Sequence, residues 1–367
     1  MKSSDATIAL PGLSRSAAPD VSFFEYWPGW LFYAPVVAHW MLLGLRHRGF
    51  TLPTAANPRI PTGGLCGESK AAILDQVTGA GRDWIAPYTV FTTSADPALS
   101  LSRAEAGMKD AGLNYRLVVK PDIGCNGTGV RLIPDRGALL DAVAAFAPGT
   151  TLVLQQLAEE PGEAGLFYIR APDEPRGRLT SVTLKSPPMV VGDGRSTLRA
   201  LILADPRTGA QPQIYLPRLK PRWDEIPASG EPVQLVFVGN HCKGSTFRDG
   251  RDHITPELTS RIDSIARAIP DFHFGRFDLR YASLPELRQG RGFKIIEING
   301  AGSEATHIWD PRTRLVDAYR AQFDHYAAAF RIGAENRKRG AKPTSPLDLF
   351  RHWKIQRTLM ASYPQND

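Results

Sequence analysis

The chain has 367 residues, 43% apolar and 22% charged. That balance excludes a disordered chain, a coiled coil and a polytopic membrane protein, and the length allows about two to three domains. The net charge is 44 − 37 = +7, but residues 331–367 hold eight Lys/Arg against three Asp/Glu, so five of those charges lie in a basic tail. A nearly balanced body argues against a nucleic-acid groove, so no nucleic acid is expected as a partner. Cys66, Cys125 and Cys242 are too few and too scattered for a disulfide framework or a zinc site. A reducing, cytoplasmic setting is expected, and no signal-peptide core follows Lys2.

Residues 1–22 read as a loose leader. Residues 26–45 contain no Asp, Glu, Lys or Arg, enough on paper to cross a bilayer. Pro28, Gly29 and Pro35 interrupt the run, so the longest unbroken helix expected is 36–45, ~15 Å at the helical rise. Three readings stay open: a core helix, an interfacial anchor using Tyr26, Trp27, Trp30, Tyr33 and Trp40, or a span. A Pro-rich stretch then leads to a helix over 68–79, a strand over 85–92 and a helix over 102–111. Strands over 115–120 and 129–133 flank a Gly-rich loop, followed by a helix over 135–146 and a strand over 151–157. Further strands run to 191, with a turn at 192–194, a helix over 197–204, an irregular stretch at 206–230 and a strand over 233–239. A helix over 256–269, strands over 274–281 and 293–299, and a helix over 311–330 follow. If 346–360 is helical, Leu349, Trp353 and Met360 fall on one side and Arg351, Lys354 and Arg357 on the other. The alternation of elements gives an α/β or α+β class.

Two constellations could carry chemistry. The loop Lys120-Pro121-Asp122-Ile123-Gly124-Cys125-Asn126-Gly127-Thr128-Gly129 has the small residues that let backbone N–H groups close on phosphate oxygens. It lacks the Gly-Lys-Ser/Thr of a Walker loop and the GxGxxG of a dinucleotide fold, and a plain β-turn is the alternative. On strand 274–281, alternation puts Arg276, Asp278 and Arg280 on one face; on 293–299 it puts Ile295, Glu297 and Asn299 together. A hairpin connection would bring the polar faces together, where Asp278, Glu297 and Asn299 offer hard oxygen ligands for Mg²⁺. The alternative is a surface hairpin with an ordinary ion pair. Lys185, in a β-type run, could converge on the same place.

Taken in order, these pieces resemble the ATP-grasp superfamily of carboxylate–amine ligases over about residues 66–325. Lys70 is similar to an ATP-binding lysine, and Lys120 through Gly127, Thr128 and Gly129 to a second lysine with its mobile lid. Gln155 and Leu157 resemble the adenine-reading hinge, with Gln155 where many members carry Glu, and Glu163 resembles the ribose carboxylate. Asn240 lies in a Gly/Ser/Thr loop like that of glutamate-type ligases. The resemblance implies Arg276 and Lys185 as catalytic residues and Asp278, Glu297 and Asn299 as metal ligands. Asn240 and Ser303 are expected at the substrates, with Ser303 lying in a 300–307 stretch expected to contact a carboxylate.

It further implies an ATP-grasp fold with a shortened N-terminal region and a basic C-terminal helical tail. The divisions expected are 1–66 (leader and reduced N-terminal region), 67–157 (lid), 158–330 (catalytic part) and 331–367 (tail). ATP and Mg²⁺, two ions with Mn²⁺ as a substitute, are the implied cofactors. The implied reaction forms an acyl phosphate and joins it to an amine. A small-molecule kinase and a non-catalytic ATP-binding membrane adaptor are the competing readings. Small carboxylate and amine substrates are the expected partners, and an anionic membrane surface and a homodimer are also considered.

Overall fold

The computed structural model describes residues 21–237, 239 and 244–364. Helix α1 (Gly29–Arg46) continues through Pro35, contrary to the expectation of a helix beginning at 36. A helix-interior proline costs about 3 kcal/mol, and here the burial of Phe32, Val36 and Leu43 offsets it. Phe32 stacks with Phe24, Tyr319 and Trp309, and Trp40 packs edge-on against Phe330.

After α1, two short 3-10 turns lead to α2 (Lys70–Asp75), capped by the Ser69 side chain. The first of two larger antiparallel sheets is β1 (Tyr88–Thr92), β2 (Leu117–Pro121), β3 (Arg131–Ile133) and β4 (Thr151–Gln156), in spatial order β1-β4-β2-β3. Helices α3 (Pro97–Asp110) and α4 (Arg136–Ala145) cover one face, and Leu101, Ala104, Leu139 and Val143 bury Leu117, Val119, Leu152 and Leu154. Helix α3 begins five residues before the expected start because Asp96 caps it and Pro97 presets its first turn.

The second sheet is built from β5 (Gly162–Ile169), β6 (Arg178–Ser186), β9 (Thr246–Asp249), β10 (Phe274–Tyr281) and β11 (Phe293–Asn299), in order β11-β10-β5-β6-β9. Between β6 and β9 stand β7 (Met189–Val191), α5 (Leu198–Ala204), α6 (Pro212–Tyr215) and β8 (Pro232–Gln234), a small unit with its own apolar cluster. The strand expected over 233–239 is thus shorter among the described residues. Helix α7 (Pro256–Arg267) buries Leu258, Ile262 and Ile265 against Leu166, Val182 and Phe277. A short α8 (Leu284–Arg288) links β10 to β11.

Helix α9 (Leu315–Lys338) extends beyond the expected end at 330, so the basic stretch begins on a packed helix. Helix α10 (Pro346–Ser362) forms as expected, but its faces differ. Leu349, His352, Gln356 and Met360 turn inward, whereas Trp353 faces outward with Phe350 and Ile355 among Arg351, Lys354 and Arg357. No described helix is long and apolar enough to cross a membrane.

Backbone contacts tie the chain before β1 to β11 and the loop after it. Ile85 bridges to Ile295, and the Ala86 N–H donates to the Ile295 carbonyl at 2.9 Å. The stretch before α2 seats the loop after β11: Gly63 and Gly64 have φ of 64° and 74°, and their carbonyls accept the N–H groups of Ala301 and Gly302. A Cβ on Gly64 would lie 2.7 Å from the Gly300 Cα, so this approach needs glycine.

Candidate active site

Strands β10 and β11 pair with Asp278 opposite Glu297 and Arg276 opposite Asn299, so the polar faces meet as the alternation predicts. One expectation is corrected. The ladder shifts between Asp278 and Leu279, leaving Ile296 as an extra residue on β11. The bulge sends Ile295 into the core, fully buried, instead of beside Glu297 and Asn299. It also leaves the Ile296 carbonyl accepting the Lys120 ammonium at 2.8 Å across the cleft.

Asp278 is the centre of the charge network. Its carboxylate accepts from Lys185 Nζ at 2.8 Å, from Arg276 Nη2 at 2.8 Å and from Asn299 Nδ2 at 3.0 Å. Burial opposes its charge, but Arg276 and Lys185 outweigh burial and hold the carboxyl well below the usual carboxylate range. Lys185 also lies 3.4 Å from Glu163. Burial disfavours its ammonium as well, yet Asp278 and Glu163 together raise its pKa. Glu163 faces Arg280 at 3.7 Å. Gly165 makes the crowding feasible, because a Cβ there would sit 3.0 Å from Asp278 Oδ1 and 3.1 Å from Arg276 Cδ.

The other wall comes from the first sheet and α2. Lys120 is buried on β2 and donates to Gln155 Oε1 at 2.8 Å; Gln155 in turn donates to the Ala86 carbonyl. Burial pulls the Lys120 pKa down to about 8 despite the pull of Glu297. Lys70 opens α2, donates to the Gly124 carbonyl of the Gly-rich loop and lies 3.6 Å from Glu297.

Together these groups line a cavity of about 940 Å³ between the sheets, with Gly127, Thr128, Leu157 and Ser303 also on its walls. Gly129 instead turns the chain against Pro121. Ser303 donates its hydroxyl to the Gly300 carbonyl at 2.6 Å. Asn240, with His241 and Cys242, lies outside the described residues.

The donor chemistry suits a hard divalent cation. Asn299 gives its amide nitrogen to Asp278, which turns its amide oxygen the other way. Glu68, unnoticed in the sequence except as the residue before Ser69-Lys70, has Oε2 buried without a hydrogen-bond partner among the described residues. Burial pushes its carboxyl upward, and the nearby Glu297 charge adds to that. An unsatisfied buried oxygen beside a second carboxylate is relieved by a cation. Among the described residues no group of three or more His, Cys, Asp or Glu is spaced as a metal cluster.

Trp309, Tyr326 and Gln356, which sequence reasoning missed, line the same cavity, as do Tyr33, expected only as an interfacial anchor, and Glu304, inside the 300–307 stretch expected to contact a carboxylate. They lie on α1, α9, α10 and the loop after β11. The one signal available was the aromatic, charge-free run itself.

Solved structures that the chain matches include a glutathione synthetase and two D-amino-acid ligases. A bifunctional glutathione synthetase from Pasteurella multocida shares 18% identity at a TM-score of 0.37, covering 69% of this chain and 36% of its own. A D-alanine–D-alanine ligase from Bacillus anthracis shares 12% at 0.41, covering 77% and 71%. The VanG D-Ala:D-Ser ligase from Enterococcus faecalis shares 15% at 0.39, covering 74% and 64%. The chain thus spans little more than a third of the glutathione synthetase and under two thirds of VanG. No protein-family model and no curated protein matches the chain. The mixed helix-and-sheet class expected from the sequence is the class observed.

Proposed function

We propose that the protein is an ATP-dependent ligase that activates a carboxylate as an acyl phosphate and joins it to an amine, releasing ADP and phosphate. The observation that carries this reading is the convergence of Lys70, Lys120, Lys185 and Arg276 on Asp278, Glu297 and Asn299 in one cleft. Lys120 and Lys70 would face the phosphates, and the loop over 123–130 would exclude water from the reactive intermediate. Arg276, held by Asp278, would stabilise the negative charge that develops when the amine attacks. Lys185 keeps Asp278 ionised and in place. Asp278, Glu297 and Asn299 would hold Mg²⁺, which neutralises phosphate charge when bound. Glu163, Gln155 and Leu157, which line the same cleft, would contact the nucleoside. The test is ATP-dependent phosphate release against panels of carboxylates and amines, with mass spectrometry of the products. An amide product that requires both partners supports the ligase, whereas a phosphorylated alcohol would replace it with a kinase. No turnover with any pair would leave a binding protein.

We further propose that the enzyme works at an anionic membrane surface. Helix α1 exposes Trp30 (75%), Val37 (58%), Leu42 (64%) and Leu45 (66%) without one charged side chain on that face, and Arg46 and Arg48 follow at its end. Arg337 caps the same end by donating to the His47 and Arg48 carbonyls. An apolar face rimmed by cations suits an anionic leaflet, where each cation contributes about 1 kcal/mol. Flotation with anionic liposomes at low salt, weakened by Leu42→Asp, is expected. A dimer in sedimentation without flotation would assign the face to a second copy instead.

A further inference from the structure

We infer that the cleft contains a subsite for a protonated primary amine bearing an apolar or aromatic substituent, with Glu304 as its counter-charge. This rests on the ligase reading and assigns its amine substrate. Glu304 sits in the loop after β11 and is anchored beside the chemistry, because its backbone carbonyl accepts Arg276 Nη1 at 3.0 Å. Its carboxylate is oriented from three sides. Tyr33 on α1 donates to Oε1 at 2.9 Å, Trp309 donates to Oε2 at 2.7 Å, and Gln322 on α9 donates to Oε1.

All three donors are neutral. They fix the carboxylate in place, and the cation that interacts with its charge, Arg276, is already paired with Asp278. No lysine, arginine or histidine forms an ion pair with Glu304 among the described residues, whereas Glu163, Asp278 and Glu297 each have one. A half-buried carboxylate without an ion-pair partner can receive a cation. Trp27, Tyr33, Trp309 and Tyr326 line the same cavity. They can stack on an ammonium group and cover an apolar substituent. The opposite assignment, a carboxylate ligand at this end, would set two like charges together. The aromatic segment at 26–45 thereby gains a part in the site: its first turns supply Tyr33 and the nearby Trp27, while its later turns pack on α9.

The experiment is a titration of the full chain with phenethylammonium and with its neutral isostere 2-phenylethanol, followed by NMR of the tryptophan indole N–H groups. Phenethylammonium is expected to bind about tenfold more tightly than the alcohol and to shift the Trp309 indole resonance, which Trp309→Phe identifies. Glu304→Gln should abolish the preference for the amine, and Glu304→Asp should retain it. Equal binding of amine and alcohol by the wild type would overturn the inference without any variant. So would unchanged amine affinity in a folded Glu304→Gln protein, or an indole spectrum in which Trp309 does not move. Because the readout is binding, it separates from the reaction. Selective amine binding without amide formation would remove the ligase and keep the subsite. Amide formation without amine preference would remove the subsite and keep the ligase.

Discussion

On the five-stranded sheet the inward-facing charges have opposite charges beside them: Lys185 has Asp278 and Glu163, Arg276 has Asp278, and Arg280 has Glu163. On the four-stranded sheet Lys120 is just as buried, but its ammonium meets only the Gln155 side-chain oxygen and the Ile296 carbonyl. The first arrangement pairs each charge with an opposite one; the second leaves a buried ammonium among neutral oxygens. The difference predicts where stability and where ligand affinity reside.

The largest effect should come from Asp278→Asn. It removes the shared counter-charge of two buried cations, so turnover should fall by orders of magnitude and stability by about 3–5 kcal/mol in denaturant unfolding. Glu297→Gln should also abolish turnover, but with little loss of stability, because that side chain is 28% exposed and meets only Lys70. Equal stability of the two variants would break the contrast.

Lys120→Ala comes next. It should weaken ATP binding by about tenfold or more in calorimetry, with a far smaller stability change than Asp278→Asn, because no buried carboxylate loses its partner. The pH dependence sharpens this point. With a pKa near 8 in the free protein, Lys120 is charged below that pH and neutral above it. Wild-type affinity for ATP should therefore fall as pH rises through about 8, and the slope should be missing in Lys120→Ala. An identical pH profile in the variant would refute the assignment.

The smallest effect concerns the Gly-rich loop between the two regions. Helix α10 reaches it: the Tyr363 hydroxyl donates to the Ile123 carbonyl at 2.8 Å, and Met360 Sδ lies 3.6 Å from Cys125 Sγ. Gln356 ties the same helix to the Gly67 N–H at 2.8 Å. Tyr363→Phe deletes one partly buried hydrogen bond, of order 1 kcal/mol. Amide exchange should quicken in 123–130 and remain unchanged in β10 and β11. Unaltered exchange in the loop would show that α10 does not restrain it.

Much of the reactive hairpin was legible because it depends on local period. Strand alternation places Arg276 and Asp278 on one face, and both strands run over the residues expected. Helix ends were less legible, since a capping aspartate or a buried ring can extend a helix past a proline or a polar run, as in α1 and α3. The β-bulge at Ile296 was not legible. It inserts a residue without altering the hydrophobic pattern, and it decides that Ile295 enters the core while Lys120 finds a carbonyl. The partners of Glu304, inside the stretch expected to contact a carboxylate, were not legible for a similar reason: they lie 271, 18 and 5 residues away.

The sequence by itself determined the strands, the hard-oxygen donors of the hairpin and the order of the lysines, because those follow from side-chain chemistry and a two-residue period. Only the tertiary structure decided which charges neutralise one another, and which are left facing the cleft. Ion pairing in a low-dielectric interior depends on distances of a few ångströms between residues far apart in the chain. Those distances are set by how the sheets and helices pack, and the same packing turned a charge-free aromatic run into one wall of the cleft.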